Sequence, residues 1–520
     1  MADLRGAGVV LLCGLLFAGC DRAGSEPAMP SASPAPASAD AAIHGPAGCS
    51  ASTQAVTARV DVKQVLVPSR SAQIFGFNVP WQEFQDPYIR KGEVRPEVLE
   101  ALRPFAGALY RYPGGSPANW FEWRKAVGPL ASRRPQHYNF GQHAVASFGY
   151  PEFLRFARQV DGTALLTLNI TGEHERPRDD AWAQDNVLGL MRWMASPDGA
   201  GCVGGDGCPV RYWELGNELD IEPYRWTAAR YAARAAAIVP AAAREFPQAV
   251  WVAHGKSAPW DGEPAARRFN DELARLLPPQ IRLSANHPYY DGIDIPTAKR
   301  YIDEIIESWR RQRPGAAALV TEHARWPGMP LIGKWEDNWA EADNISGAIS
   351  TADFQLAVMA DPKVLATNLH TISAVGPWKL FRWDRRRDRI FASPLYWALR
   401  VLRDDLRRDV VAVQPALVPG RAYGGGYDMR LLAMSDGGAN GTLLGVNRSS
   451  RPVRLDIDWQ GFRPAEAARM RWVSGQLSDD NTVGQEQRVT MQQWDGRLPA
   501  GRQRSTWCIP AHSVFAVHEL

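Results

Sequence analysis

Short apolar runs alternate with amphipathic, helix-like stretches between residues 71 and 403 of this 520-residue chain. Such alternation is typical of βα units, whose strands assemble into a parallel sheet. Because eight such units close most simply into a barrel, the sequence predicts a (β/α)8 TIM barrel over residues 71–403. The predicted strands lie at residues 72–78, 108–111, 163–169, 210–216, 249–253, 281–286, 318–321 and 371–375.

The pattern changes on both sides of the predicted barrel. Residues 56–67 alternate apolar and polar side chains and end at Pro68, and residues 404–520 contain short alternating runs separated by Gly and Asn. Alternation with a period of two indicates half-buried antiparallel strands. We therefore predict a C-terminal antiparallel β-sandwich, formed by residues 404–520 together with residues 49–70, which contribute an N-terminal strand.

The first 20 residues have the pattern of an export signal. Arg5 precedes an apolar run over residues 9–17, which is too short to span a membrane, and Ala18-Gly19-Cys20 follows it. The segment resembles a bacterial lipoprotein signal peptide, in which Cys20 is lipidated. Alternatively, it is an ordinary secretory signal that is cut elsewhere.

The segment after the signal predicts a tether. Residues 21–48 are rich in Ala, Pro, Ser and Gly and lack apolar periodicity, which indicates a disordered linker. With the lipoprotein signal, this predicts a lipid-anchored protein of the bacterial cell envelope, in the periplasm or on the cell surface. The lipid anchor would be its only contact with the membrane.

Four cysteines remain beyond the signal segment: Cys49, Cys202, Cys208 and Cys508. Export implies an oxidising compartment, where disulfides persist, and four cysteines allow three pairings. We favour Cys202–Cys208, which closes a short Gly-rich loop, and Cys49–Cys508, which joins the two ends of the folded region. Free buried thiols are the alternative. The spacing does not suit a zinc site.

Charge and motifs exclude several classes of function. The net charge of +3 is too small to favour nucleic acid or a polybasic membrane surface. His254 and His323 lack metal-ligand spacing, and no Gly-x-Ser-x-Gly element of a serine hydrolase occurs. The sequence therefore predicts neither a metal nor a cofactor, and it leaves the oligomeric state open.

Two glutamates follow apolar, strand-like runs. Glu218 comes after the run that begins at Val210, and Glu322 comes after the run at residues 318–321. The two residues are 104 positions apart, which matches about three βα units of roughly 30–35 residues. They therefore fall at the fourth and seventh strands, at the carboxyl face where barrels carry their active sites.

A pair of carboxyl groups at one barrel face suits glycosidic bond cleavage. The reaction needs a proton for the leaving oxygen and a negative group for the oxocarbenium-like transition state. We predict Glu218 as the acid/base and Glu322 as the nucleophile, because carboxyl groups about 5 Å apart characterise retaining sites. The alternative is two structural carboxylates in salt bridges.

Several motifs then resemble a known group, the retaining glycoside hydrolases of clan A, which share Asn-Glu on the fourth strand and Glu on the seventh. The α-L-arabinofuranosidases of glycoside hydrolase family 51 are similar in particular. The matching residues are Arg111-Tyr112-Pro113-Gly114-Gly115 after the second strand, Asn169 after the third, Tyr212 to Glu218 on the fourth, and His287-Pro288-Tyr289 on the sixth. The resemblance implies double-displacement hydrolysis of an oligo- or polysaccharide.

The resemblance also implies roles for the surrounding residues. Asn217 would bind the sugar hydroxyl next to the anomeric carbon, or else stabilise a turn. Tyr289 would donate a hydrogen bond to Glu322, with His287 packed beside it or serving only structure. Arg111 would orient a carboxylate or brace the barrel floor. The other expected substrate contacts are Asn169, Trp326 and Trp378, with Trp383 as a further stacking candidate. For any one of these tryptophans, core or loop packing is the favoured alternative.

The substrate stays open because the nucleophile motif departs from family 51. Thr321-Glu322-His323 replaces the Asp-Glu-Trp that is common there. The run Trp213 to Glu218 is also close to the heparanase and β-glucuronidase family 79, and the xylosidase family 39 is a third relative. A carbohydrate-binding surface lipoprotein built on an inactive barrel is the non-enzymatic alternative.

Overall fold

Eight parallel strands form a closed barrel in a computed structural model of the protein, which describes residues 42–81, 87–138, 142–174, 176–257, 263–438, 440–464, 466–499 and 502–519. Each strand pairs with its sequence neighbours, and the eighth pairs with the first. The strands are β1 (Gly76–Asn78), β2 (Leu109–Tyr112), β3 (Thr163–Leu168), β4 (Val210–Leu215), β5 (Val250–His254), β6 (Leu283–Ala285), β7 (Ala317–Arg325) and β8 (Val364–Leu369). The predicted TIM barrel is confirmed.

One helix follows each barrel strand. Capping side chains explain where several of them begin: Asp179, Thr227 and Asp294 each accept a hydrogen bond from a backbone N–H of the first turn. The helices are Pro96–Leu102, Tyr150–Gln159, Asp180–Ala195, Ala228–Glu245, Glu263–Leu276, Ile295–Gln312, Ile345–Met359 and Pro394–Asp404. Their apolar faces pack on the outside of the barrel, and a separate apolar cluster from β2 to β8 fills its interior.

Two predicted strands are corrected. The eighth strand is Val364–Leu369 and not residues 371–375, which lie in the loop after it. Thr367 and Asn368 interrupt its apolar run, yet both are buried. Their side chains bond backbone carbonyls, Thr367 that of Ile74 in the 3-10 turn before β1 and Asn368 that of Leu109 in β2. The first run begins with a 3-10 turn at Ala72–Phe75, so that only Gly76–Asn78 is a strand.

The C-terminal strands form a mostly antiparallel, sandwich-like sheet of 11 strands. As predicted, an N-terminal strand, Ala55–Val67, joins it between Val453–Gln460 and Asp409–Gln414. The other strands are Ile43–His44, Leu417–Pro419, Tyr427–Ser435, Gly441–Asn447, Ala467–Ser474, Gln492–Arg497, Arg504–Ile509 and Ser513–Glu519. Ile43–His44 pairs with Arg504–Ile509, so the predicted linker, residues 21–48, extends too far into the folded region.

Both favoured disulfides, Cys49–Cys508 and Cys202–Cys208, are present. The first ties the beginning of the described chain to the penultimate strand of the sheet. The lipidation site Cys20 and the signal segment lie outside the described residues. Within the described part of the chain, no helix has the length and apolarity needed to cross a membrane.

A buried ion cluster joins the barrel to the sheet. Asp353, in the helix Ile345–Met359, is fully buried and pairs with Arg430 of the sheet and with Arg448, which directly follows the strand Gly441–Asn447. The Tyr427 hydroxyl donates a third hydrogen bond to it at 2.6 Å. Although burial acts to raise the pKa of Asp353, the two arginines outweigh burial and lower it. The carboxylate therefore stays ionised and fixes the sheet against the barrel.

Candidate active site

Glu218 and Glu322 lie together at the carboxyl face of the barrel. Glu218 follows β4 after Gly216 and Asn217, and Glu322 lies within the last part of β7. One carboxylate oxygen of Glu218 and one of Glu322 lie within 4.8 Å of each other. Both side chains therefore lie where the sequence spacing predicts, at the carboxyl ends of the fourth and seventh strands.

A left-handed turn directs Glu218 into the site. Gly216 and Glu218 have φ values of 72° and 48°, which lie in the region that favours glycine. A Cβ on Gly216 would also come within 2.7 Å of the Leu219 side chain, so a larger residue would strain the turn. Asn119 fastens the turn, because its side chain bonds both the N–H and the C=O of Asn217.

Arg111, at the end of β2, is the central cation of the site. It is fully buried, and its guanidinium reaches Glu214 at 2.5 Å, Asn217 at 2.6 Å, Asn78 at 2.9 Å and Glu322 at 3.2 Å. Burial alone would lower the pKa of Arg111, but Glu214 and Glu322 outweigh burial and raise it. Arg111 thus both orients a carboxylate and braces the barrel floor, the two roles that the sequence left open.

Glu322 is held as a carboxylate. Its Oε2 accepts from Arg111, while its Oε1 accepts from the Tyr289 hydroxyl and lies 3.0 Å from His370 Nδ1. Burial opposes ionisation, but His370, His287 and Arg111 together lower the pKa of Glu322 well below 4.5. The pKa of Tyr289 is raised well above 10 by burial and by the carboxylates, so its hydroxyl keeps the donated proton.

Removal of His370 should move the acid limb of activity. The His370→Ala variant lacks the strongest influence that lowers the pKa of Glu322, so this pKa should rise toward 4.5. Glu322 must be ionised to act as predicted, so the acid limb of kcat/KM should move upward by about one pH unit. His143→Gln, an exposed histidine in the loop after β2, is the matched control. If the acid limbs of the kcat/KM profiles of the wild type and His370→Ala coincide, His370 does not hold Glu322 ionised as described.

The same shift links Glu322 to stability. Its folded-state pKa lies below the unfolded value, so its ionisation stabilises the fold fully above about pH 4.5. This contribution is lost as the pH falls through the folded-state pKa. The acid stability and the acid limb of activity should therefore respond together to His370→Ala.

His287 stands behind Glu218. Its Nδ1 lies 2.9 Å from Glu218 Oε1 and its Nε2 lies 2.9 Å from the Thr321 hydroxyl. Burial lowers the pKa of His287, but Glu322 and Glu218 outweigh burial and raise it. His287 is therefore part of the charged network around the two glutamates.

Asn217 and Asn169 differ in position. The side-chain oxygen of Asn217 accepts from Arg111, so a bound hydroxyl would meet its amide nitrogen. Asn169, in contrast, uses its side chain on the loop after β3, where it bonds the backbone of Thr171 and Gly172. The structure thus shows Asn169 bonded to this loop, and its contact with a substrate stays a prediction.

Aromatic rings line one side of the site beside Tyr289. Trp378 lies 5.1 Å and Trp326 5.5 Å from the Tyr289 ring, between centroids, and Trp335 stacks on Trp326. Trp378 is buried and bonded to a backbone carbonyl, whereas 42% of Trp326 is exposed. Trp326 is therefore the more accessible stacking surface. Trp383 instead bonds Asp388, beyond this cluster.

Glycine also shapes the floor of the site. A Cβ on Gly115, the last residue of the matched motif after β2, would lie 3.2 Å from Glu322 Oε2 and 4.0 Å from Asn217 Oδ1. The glycine therefore leaves space directly against the predicted nucleophile.

The sequence analysis assigns no role to three further residues of the site. Glu214 is a charged residue inside the apolar run of β4, and its side chain is fully buried. A charge at this position of an apolar strand is the sequence signal that could have indicated a role in the site. His370 directly follows β8, so the misplaced eighth strand hid its position at the carboxyl face. Thr321 precedes Glu322, and its hydroxyl donates to Glu214 at 2.9 Å.

The site contains residue types that bind metals. One ligand atom each from Glu218, His287 and Glu322 lies within 4.8 Å of the others. However, Arg111 places a positive charge 3.2 Å from Glu322, and both His287 nitrogens have hydrogen-bond partners. These contacts favour a site built on ion pairs over metal coordination.

Comparison with known sequences identifies related proteins. The family model described as the α-L-arabinofuranosidase 1 domain matches residues 99–294, which include Arg111 and Glu218. α-L-Arabinofuranosidase C from Emericella nidulans is 29% identical over 143 residues, which cover 26% of this chain and 26% of the relative. The chain thus matches about a quarter of the length of this curated relative.

Solved structures share the fold over most of the chain. The α-L-arabinofuranosidase from Thermotoga maritima aligns with a TM-score of 0.71 and 17% identity, covering 89% of this chain and 100% of that one. A family 51 α-L-arabinofuranosidase from Bifidobacterium longum aligns with a TM-score of 0.72 and 16% identity, covering 89% and 99%. The chain therefore resembles the clan A glycoside hydrolases, and in particular the α-L-arabinofuranosidases of glycoside hydrolase family 51.

Proposed function

We propose that this protein is a retaining glycoside hydrolase that cleaves its saccharide by double displacement. The observation that carries the proposal is the pair of carboxylate oxygens of Glu218 and Glu322 within 4.8 Å of each other. Retaining enzymes hold their carboxyl groups about 5–5.5 Å apart, whereas inverting enzymes need about 6.5–9.5 Å to admit a water. The short separation supports direct attack by a carboxylate.

The environments of the two glutamates support different roles. Glu322 is buried and held ionised by Arg111, Tyr289 and His370, as a nucleophile requires. The side chain of Glu218 is 20% exposed and contacts His287, a group that can exchange a proton with it. Glu322 would attack the anomeric carbon while Glu218 protonates the leaving oxygen. The product of this step is an ester between Glu322 and the anomeric carbon of the sugar.

The second half of the reaction uses the same groups. Glu218, now a carboxylate, would take a proton from water, and the water oxygen would bond to the anomeric carbon as the ester to Glu322 breaks. The amide of Asn217, oriented by Arg111, would bind the neighbouring sugar hydroxyl. Each enzyme group thus returns to its starting state after one turnover.

The proposed substrate class is the α-L-arabinofuranosides. The support is the matched family model, the Emericella nidulans relative and the shared motif residues Arg111 to Gly115 and Tyr212 to Glu218. The main alternatives are glucuronides and xylosides. The run Trp213 to Glu218 also resembles families that act on these sugars, and Thr321 departs from the family 51 motif, so the motifs favour the reaction type more strongly than the identity of the sugar.

A panel of aryl glycosides tests the proposal. Release of the aryl group from the α-L-arabinofuranoside, and not from the β-xyloside or β-glucuronide, is the expected result. Preferential release from another sugar would overturn the substrate class but keep the chemistry. Binding of glycans without turnover of any glycoside would favour the carbohydrate-binding alternative and reject the enzymatic proposal.

We also propose that the protein is exported and anchored through Cys20. The support is the signal-like segment at residues 1–20 and the two disulfides, which suit an oxidising compartment. Radiolabelled palmitate supplied to expressing bacteria should label the wild type and not Cys20→Ser. Equal labelling, or none in either, would reject the anchor.

A further inference from the structure

A chain of buried hydrogen bonds runs beneath the two glutamates from β4 to the acid/base. Glu214 Oε1 accepts from the Thr321 hydroxyl at 2.9 Å, and Thr321 Oγ1 lies 2.9 Å from His287 Nε2. On the other side of the imidazole ring, His287 Nδ1 lies 2.9 Å from Glu218 Oε1. Glu214 and Thr321 are both fully buried, so water does not compete for these bonds.

The donors along this chain are determined by counting hydrogens. Glu214 pairs with Arg111 at 2.5 Å and accepts from Thr167 at 2.8 Å, so it is a carboxylate that only accepts. The hydroxyl of Thr321 has a single hydrogen, and a bond to Glu214 uses it. If this hydrogen pointed to His287 instead, two oxygen lone pairs would face each other at 2.9 Å.

The hydrogen between Thr321 and the ring must therefore come from His287 Nε2. With Nε2–H donating to Thr321 Oγ1, the neutral imidazole has its lone pair on Nδ1. This lone pair points at Glu218 Oε1, and a 2.9 Å contact between two acceptors requires one proton between them. Glu218 and His287 thus hold one proton jointly.

We infer that Thr321 and Glu214 are positioning residues that hold His287 in the Nε2–H tautomer, so that Glu218 and His287 share the proton used by the acid/base. The inference rests on the proposed function. Thr321 lies where the nucleophile motif departs from the family pattern, and Glu214 provides a carboxylate to this residue from another strand.

The proton balance of the reaction follows from this arrangement. In the first step the shared proton passes to the leaving oxygen as its bond to the anomeric carbon breaks and Glu322 bonds to that carbon. The Nδ1 lone pair then faces the carboxylate of Glu218, which makes Glu218 a stronger base. In the second step a proton from water returns to the pair while the water oxygen replaces Glu322.

Other charged groups around His287 are compatible with this assignment. Glu322 on β7 and Glu218 after β4 favour a protonated ring, whereas Arg111 on β2 opposes it. Glu214 Oε1 lies 4.0 Å from His287 Nε2, behind Thr321. On the side of β5, Lys256 lines a cavity next to His287 and pairs with Asp220 at 3.0 Å.

Nitrogen NMR tests the tautomer without a substrate. In protein labelled with 15N-histidine, protonated and unprotonated ring nitrogens differ in chemical shift, and His287→Gln identifies the signals of His287. At pH values above its titration, His287 should show a protonated Nε2 and an unprotonated Nδ1. An Nδ1–H tautomer would overturn the inference whether or not any glycoside is cleaved.

Kinetics of Thr321 variants test the consequence for proton transfer. Thr321→Val removes the acceptor and keeps the shape, so His287 can adopt the Nδ1–H tautomer and stabilise ionised Glu218. The alkaline limb of kcat/KM should move to lower pH, and Thr321→Ser, which keeps the hydroxyl, should restore it. At neutral pH, Thr321→Val should lose about tenfold on an alkyl glycoside, which needs an acid, and less than about threefold on a dinitrophenyl glycoside of the same sugar.

The two substrates separate proton transfer from structural damage. Equal losses on the alkyl and dinitrophenyl glycosides would show that Thr321 only supports the fold and would overturn the inference. A Thr321→Ser profile that follows Thr321→Val would do the same. If no glycoside is cleaved at all, the proposed function fails, while the NMR result still decides the tautomer.

Discussion

Replacement of Glu322 by Gly should abolish hydrolysis and make it recoverable with azide. The variant lacks the proposed nucleophile, so kcat on an aryl glycoside should fall by about 10⁴-fold or more. The cavity left beside Gly115 and Arg111 can admit a small anion, which would attack the anomeric carbon from the side of Glu322. We expect activity to return with azide and to yield a glycosyl azide of inverted configuration.

Glu322→Gln is the matched control for this experiment. Glutamine removes the negative charge but fills the same volume, so the variant should be inactive with or without azide. Hydrolysis by Glu322→Gly above about a tenth of the wild-type rate would contradict the nucleophile assignment. A glycosyl azide of retained configuration would contradict it as well, because azide would then have entered from the other face.

Among the variants considered, replacement of Arg111 by Met should cause the largest loss in the free energy of unfolding. Arg111 is fully buried, and its removal leaves Glu214 without its cation and Glu322 without one of its partners. Breaking a buried pair on one side costs about 3–5 kcal/mol in the free energy of unfolding. Urea unfolding of the variant should show this loss, and activity should disappear because Asn217 and Glu322 lose their orientation.

A double variant distinguishes an unpaired charge from lost packing. Arg111→Met with Glu214→Met replaces the ion pair by apolar side chains, and such replacements are often neutral in stability. We therefore expect the double variant to recover part of the lost free energy of unfolding while it stays inactive, because Glu322 and Asn217 still lack Arg111. If the free energy of unfolding of Arg111→Met lies within about 1 kcal/mol of that of the wild type, Arg111 does not neutralise a buried charge of Glu214 and Glu322 as described.

Local patterns predicted the barrel and the positions of its two glutamates. Each βα unit has its own apolar run and helix, so the order of the units identifies β4 and β7 without knowledge of their contacts. The eighth strand was misplaced because Thr367 and Asn368 are polar and interrupt its apolar run. In the structure both bond distant backbone carbonyls, those of Ile74 and Leu109, which the sequence pattern does not show. His370 was missed for the same reason.

The side-chain contacts between barrel strands could not be predicted from the sequence. Glu214 and Thr321 are 107 positions apart and meet only because β4 and β7 face each other across the barrel. Asn169 shows a related limit: the family motif indicates a substrate contact, and only the structure shows that its side chain also bonds the backbone of the loop after β3. A motif identifies a residue type at a position, and the neighbouring backbone decides how its polar atoms are used.

The disulfides illustrate a case in which chain position was informative. Cys202 and Cys208 are close in sequence, so their pairing needs only a short loop. The Cys49–Cys508 pair follows from the prediction that the bridge joins the two ends of the folded region, and the structure contains that bridge together with the N-terminal strand in the C-terminal sheet.

The stereochemistry of transfer to methanol tests the central proposal most directly. With the aryl glycoside that the panel identifies, proton NMR of the first-formed methyl glycoside reports its anomeric configuration before any further reaction. Double displacement by Glu322 and Glu218 predicts a methyl glycoside with the same configuration as the substrate. A methyl glycoside of the opposite configuration would contradict a covalent intermediate on Glu322.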